Sequence, residues 1–283
     1  MHQENALPSD VLRDGRILFE AGYPLGTGET PELYTVYPDG SGVEAYRCDH
    51  ARFRYGGRQI SSGDIVFSHG YSLARFTSAS AKEVAVATPR GEYTGDILET
   101  ADGAWLVSWR GGSSSVFELR LWTPESGGLD KLFAEAGTNL VQPSLVTARS
   151  TLNHFPSGLH EWPTANLLML NSYTSKYSFA KGSIKTVRGY AQTADGGRRF
   201  LGTSPVEKDG SFFVQVKGDA PVQFELLDAT NRVLQKQKGW FWARRGEQRV
   251  CVGCHAGPEH SPENAVPATL ERTVIPADFT GTK

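Results

Sequence analysis

The sequence has few cysteines, no long apolar run and no large excess of charge of either sign. Its 283 residues include only three cysteines, which argues against a disulfide scaffold. No apolar run approaches the roughly 20 residues that cross a bilayer, so no membrane span is predicted. The 29 basic and 31 acidic side chains nearly balance, and this gives no reason to expect nucleic acid or an acidic membrane surface as a partner.

Turn signals and short alternating runs predict an all-β chain. Asp-Gly pairs beside apolar runs are typical of hairpins, and five occur: Asp14-Gly15, Asp39-Gly40, Asp102-Gly103, Asp195-Gly196 and Asp209-Gly210. Six strand-like runs recur in the first half, at residues 16–20, 32–37, 64–67, 82–87, 104–109 and 117–122. Their spacing suits two or three propeller-like blades, an incomplete ring because closure usually needs about four or more.

The pattern changes along the chain and predicts four regions. Residues 1–140 carry the propeller-like strands, and residues 141–180 form a connector with a looser pattern. Residues 181–237 alternate more cleanly, with Phe212, Val214 and Val216 sharing one face, and predict a small antiparallel β-sandwich. Residues 238–283 form an irregular segment and tail.

The last region contains Cys251-Val252-Gly253-Cys254-His255, which has the Cys-x-x-Cys-His spacing of covalent haem c attachment. The two thiols add across the haem vinyl groups, and the adjacent histidine reaches the iron. A zinc ribbon would need a second Cys-x-x-Cys pair, and a thioredoxin-like pair would need a βαβ context. The sequence offers neither, so the motif predicts one haem c.

Further residues are candidates to complete the site. Trp240 and Trp242 are expected to wall a porphyrin and Arg245 to pair with a propionate, although core aromatics and a solvated arginine would produce the same pattern. Met169 lies in an apolar run that favours core packing. Cys48 and His50 share one short stretch that could bind zinc. The remaining candidates for a second metal ligand are His69, His154, His160 and Glu259.

The chain resembles the hydrazine synthase alpha-subunit family over roughly residues 150 to 270. The resemblance is carried by residues 182–187 (Gly-Ser-Ile-Lys-Thr-Val), 205–214 (Pro-Val-Glu-Lys-Asp-Gly-Ser-Phe-Phe-Val), 239–242 (Gly-Trp-Phe-Trp) and 245–255, which end in the cysteine motif. It implies propeller blades, a middle sandwich and a covalent haem c outside the cytoplasm. It also implies a zinc ion held by His255 with Cys48.

The chain departs from the family pattern at one position. The family enzyme has a haem-binding tyrosine just after the motif, and Glu259 occupies that position here. The family enzyme also uses partner subunits and further haems, whereas this chain holds one attachment motif. Hydrazine formation is therefore not predicted.

The residues and the resemblance together predict a c-type cytochrome-like protein for electron transfer or haem-based redox chemistry on a small molecule. Its partner would be a redox protein or a small-molecule substrate. Haem c is attached outside the cytoplasm, yet the polar first ten residues show no export signal. We therefore expect a periplasmic or exported protein whose printed sequence is a piece of a longer chain or complex. The alternative is a non-enzymatic binding module with a structural zinc at the motif.

Overall fold

The computed structural model describes residues 6–22, 30–47, 49, 52–146, 156–237, 239–254, 261 and 263–281. These residues form twenty β-strands and one short α-helix, so the predicted all-β class is confirmed. No helix of the described residues is long and apolar enough to cross a membrane. The chain divides into two compact units, residues 3–38 with 44–155 and residues 1–2 with 39–43 and 156–283. We call them the blade unit and the sandwich unit.

The blade unit consists of three four-stranded antiparallel sheets, each built from consecutive strands, as in propeller blades. Its strands are β1 (Leu7–Val11), β2 (Ile17–Ala21), β3 (Glu32–Val36), β4 (Glu44–Ala45), β5 (Arg54–Gln59), β6 (Ile65–His69), β7 (Ser72–Phe76), β8 (Val84–Ala85), β9 (Glu92–Glu99), β10 (Trp105–Arg110), β11 (Glu118–Thr123) and β12 (Gly128–Phe133). All six runs expected from the sequence overlap one of these strands. The propeller-like prediction is confirmed, with sheets that stay open.

Two apolar clusters hold the blades together. The first joins the sheets of β1–β4 and β5–β8 through side chains such as Leu18, Leu33 and Phe67. The second joins the sheets of β5–β8 and β9–β12 through Val66, Trp105 and other buried side chains. Each strand can supply an apolar face to these clusters when its apolar residues alternate with polar ones, because successive side chains point to opposite sides of a sheet.

The sandwich unit packs two four-stranded sheets on one core. Its strands are β13 (Thr164–Met169), β14 (Thr186–Gln192), β15 (Arg198–Pro205), β16 (Phe212–Lys217), β17 (Val222–Leu227), β18 (Val233–Lys236), β19 (Gln248–Cys251) and β20 (Ala277–Phe279), and its helix is α1 (Ala268–Arg272). One sheet has the order β15-β14-β17-β18 and the other β19-β13-β16-β20. The second sheet is mixed, because β19 and β20 pair in parallel with β13 and β16.

The sandwich draws on more of the chain than residues 181–237. Strand β13 comes from the expected connector, and β19 and β20 come from the segment expected to be irregular. Local alternation could not reveal these strands, because parallel partners meet only through long connections. The expected face of Phe212, Val214 and Val216 is buried as predicted. Four of the five Asp-Gly pairs join paired neighbouring strands, whereas Asp209-Gly210 passes from one sheet to the other.

Candidate functional site

The first motif cysteine ends an edge strand of the mixed sheet. Cys251 is the last residue of β19 and lies opposite Met169 in parallel register. Just beyond that pair, the Leu170 amide donates a hydrogen bond to the Cys251 carbonyl oxygen at 2.9 Å. The position of Cys251 is therefore set by backbone pairing with β13.

The second motif cysteine is held by the segment that follows β13. Cys254 forms an isolated parallel bridge with Ser175, and its side chain packs against the sandwich core. Cys251 and Cys254 are both present as thiols. Burial raises the pKa of the Cys254 thiol to about 11; nearby Cys251 acts in the same direction, and Lys176 opposes it. Cys254 is thus protonated at neutral pH.

Residues 171–175 form a support under the motif, which we call the cradle. The Ser172 amide and hydroxyl both donate to the Gly210 carbonyl oxygen, at 2.9 and 2.7 Å. The Tyr173 hydroxyl donates to the carbonyl oxygen of Ile184 at 3.3 Å and accepts from its amide at 3.2 Å. The Thr174 amide donates to the Asn171 carbonyl oxygen at 3.1 Å, which closes a turn. The cradle is thereby bonded to the residues just before β16 and just before β14, one strand from each sheet.

The aromatic candidates flank a residue that pairs with the other sheet, and the arginine candidate lies shortly before β19. Phe241 pairs with Val222 at the start of β17, and the flanking Trp240 and Trp242 are half-buried. Arg245 is 66% exposed and forms an ion pair with Asp219 at 3.3 Å. Arg245 lies before the first residue of β19, whereas Cys251 is the last residue of that strand.

The two ends of the sheet are about 16 Å apart, because β13 advances about 3.3 Å at each of the five steps from its first residue to its last. His160 also belongs to the end that holds Arg245. Its amide donates to the Gly246 carbonyl oxygen at 3.4 Å, and its ring stacks on Trp162 with centroids 4.5 Å apart. Of the described candidates, only Met169 shares an end of the sheet with the two thiols. Its side chain is half-buried and packs against the core, as its apolar run suggested.

Several predicted site residues lie outside the described residues, namely Cys48, His50, His154, His255 and Glu259. His69 lies on β6 and contacts Glu83. The described part of the chain contains no group of three or more His, Cys, Asp or Glu side chains that could hold a metal ion.

Sequence reasoning missed two features. One is the cradle, for which the polar run that follows β13 was the only signal. The other is a cavity of about 210 Å³ in the blade unit, lined by Asp10, Arg58, Gln59, Ile60, Ile97, Leu98, Glu99 and Leu145. No motif residue lines that cavity, so the cavity and the thiol chemistry do not coincide. We place the candidate site at the thiols, because the cavity gathers no comparable reactive pair.

Residues 169–256 match the family described as hydrazine synthase alpha subunit middle domain. Over this segment the chain is similar to the hydrazine synthase alpha subunit. The matched segment begins at Met169, includes the cradle and β19, and ends just after the attachment motif. The resemblance expected from the sequence is thereby confirmed.

Solved structures extend the likeness beyond the matched segment. Kuenenia stuttgartiensis hydrazine synthase aligns with 91% of this chain at 17% identity and a TM-score of 0.67, which shows a shared fold. The alignment covers 44% of that chain, so the present chain spans less than half the length of that relative. A catalytically inactive virginiamycin B lyase from Staphylococcus aureus with quinupristin aligns over 89% of this chain and 76% of its own, at 11% identity and a TM-score of only 0.33. No curated protein matches the chain.

Proposed function

We propose that this hydrazine synthase alpha-like chain is a c-type cytochrome-like protein that carries one covalent haem. The observation that supports the proposal is the pair of motif thiols, held side by side at one end of the mixed sheet within the matched family segment. Cys251 and Cys254 would form the thioethers, and His255, the next residue, would bind the iron.

The residues present fit this group. Both cysteines are thiols, as thioether formation requires. Cys254 lies against the apolar core and Cys251 is half-buried, so the attachment edge would be shielded from water on the sandwich side. Haem c supplies one-electron redox chemistry when bound, and its potential responds to such burial. The contribution of this chain is to anchor the group through two side chains and to exclude water from that edge.

The setting of the protein belongs to the same proposal. Covalent haem attachment implies a periplasmic or exported protein. The likeness to a longer hydrazine synthase chain favours a role within a larger chain or complex, with a redox protein or a small molecule as its partner. We do not propose hydrazine formation, because Glu259 replaces the tyrosine that the resemblance calls for and the sequence has one attachment motif.

The test is to express the chain with an export signal and cytochrome c maturation machinery, then measure the pyridine haemochrome spectrum and zinc on one sample. We expect one covalent haem per chain. Cys251→Ala and Cys254→Ala should each leave a single thioether, and the double variant should retain no covalent haem. Met169→Leu is the matched control, because it conserves volume beside Cys251 and should leave haem content unchanged.

Two results would refute the proposal. One is a matured wild-type chain without covalent haem. The other is stoichiometric zinc in place of haem, lost from the double cysteine variant, which would establish the structural zinc module instead.

A further inference from the structure

The attachment motif and the cradle approach each other too closely for a side chain to fit between them at position 253. A Cβ atom placed on Gly253 would overlap the carbonyl oxygen of Thr174 and lie 2.8 Å from its Cβ. The requirement for glycine comes from this close approach and not from a left-handed backbone conformation. The contact with Thr174 therefore requires glycine at position 253, the second spacer residue of the motif.

The cradle cannot easily move away to make room. Ser172 is fully buried and makes two hydrogen bonds to Gly210. A Cβ on Gly210 would in turn lie 2.8 Å from the Ser172 amide nitrogen, so this second contact is also close. Tyr173 adds the two hydrogen bonds to Ile184. The Thr174 carbonyl thus belongs to a segment that is hydrogen-bonded to two separate parts of the sandwich, at Gly210 and at Ile184.

The same contact controls both thiols. Cys251 is fixed on one side of Gly253 by pairing with β13, and Cys254 is fixed on the other side by its bridge with Ser175. If residue 253 were displaced, the chain between these two attachments would have to bulge, and Cys254 would leave its place against the core.

We propose that the cradle is a template that sets the relative position of the two attachment thiols, with Gly253 and Thr174 as its positioning residues. This inference rests on the proposed haem attachment for its purpose. Its structural content holds for the chain before any haem is bound. The thiols would be presented as a preformed pair, which lowers the conformational cost of forming the second thioether bond once the first has formed.

The first experiment uses the chain expressed without haem maturation and measures iodoacetamide alkylation of each cysteine by peptide mass spectrometry. In Gly253→Ala we expect Cys254 to react at least about tenfold faster than in the wild type, because overpacking at this contact opens the motif. Val252→Ala is the matched control inside the motif, since Val252 is only half-buried, and it should change the rate by no more than about twofold. Equal rates in Gly253→Ala and the wild type would overturn the inference.

Tyr173→Phe covers the case in which Gly253→Ala fails to fold. It keeps the ring and removes only the hydrogen bonds to Ile184, so the cradle loosens and Cys254 alkylation should rise by about two- to tenfold. An unchanged rate in a folded Tyr173→Phe chain would refute the template role.

The second experiment counts thioether bonds in the matured chain. We expect two in the wild type and Val252→Ala, and in Gly253→Ala a large fraction with one, seen as a haemochrome band shifted by the remaining vinyl group. Two thioethers at wild-type yield in Gly253→Ala would count against the template. Absence of haem in the wild type would refute the proposed function alone, because the alkylation experiment does not depend on haem.

Discussion

Arg54 is expected to be the most sensitive charged residue of the blade unit. Its side chain is 1% exposed, and its guanidinium bonds both carboxylate oxygens of Asp49, at 2.7 and 2.9 Å. Glu83 accepts from Arg54 Nε at 2.8 Å, and Glu32 lies 3.5 Å from Nη1. Burial disfavours the charged guanidinium, but these carboxylates more than offset it and raise the pKa of Arg54. The cluster balances one buried cation against three acids.

Replacing this arginine with methionine removes the cation and preserves an unbranched apolar chain beside two phenylalanines. The Arg54 guanidinium carbon lies 5.0 Å from the ring centroid of Phe76 and 5.8 Å from that of Phe67, so methionine can fill the slot. The acids would be left without their partner, and breaking a buried ion pair in this way costs about 3–5 kcal/mol. That loss is a large share of the roughly 5–15 kcal/mol that stabilises a typical domain.

Urea denaturation followed by tryptophan fluorescence would measure the loss, because Trp105 and Trp122 are buried in the same unit. Arg75→Met is the matched control. Arg75 lies on β7, is 43% exposed and pairs with Asp64 at 3.1 Å, so its loss should cost no more than about 1 kcal/mol. A cost for Arg54→Met within about 1 kcal/mol of that control would refute the reasoning.

Two further predictions concern other buried positions. Burial raises the pKa of Glu20, although its carboxylate accepts a hydrogen bond from the Gly56 amide at 2.6 Å. The folded state therefore favours the protonated acid. The stability that this contributes is present below the ordinary pKa of 4.5 and is lost as the pH rises through the raised pKa. Glu20→Gln keeps an acceptor without the charge and should gain stability relative to wild type between pH 4.5 and neutral pH; urea midpoints showing the opposite trend would contradict this. Gly189→Ala should destabilise the sandwich by about 1–3 kcal/mol, because the new Cβ would lie 2.7 Å from Cε2 of the buried Phe279. Gly158→Ala, in open space, should be neutral by the same thermal melt, and equal melts would refute the packing argument.

Much of the fold was predictable because its signals are local. A strand buried on one face alternates every two residues, and an Asp-Gly pair supplies the backbone conformations of a tight turn, so six blade strands and four hairpins could be predicted from neighbouring residues. The burial of both faces of β17 has no such local signal. Gln223 and Glu225 do point away from the core, but Arg198 covers them both through hydrogen bonds, and they are buried.

The candidate site was predictable in its chemistry and not in its surroundings. The cysteine motif identified the thiols, but proximity in sequence was a poor guide to neighbours in space. Arg245, six residues before Cys251, lies at the far end of β19, whereas Met169 lies directly opposite Cys251.

By itself the sequence determined the all-β class, the blade strands, the family resemblance and the identity of the two thiols, because each depends on residues within a few positions of one another. Only the tertiary structure decided that β19 pairs in parallel with β13. A hydrogen bond between the side chains of Asn166 and Gln248 joins these two strands, although the residues are 82 positions apart in the sequence. The tertiary structure also decided that Thr174 meets Gly253 and that Arg54 gathers acids from three places in the chain. Such contacts follow from how complete sheets pack, and no local pattern encodes which distant residue will fill the remaining space.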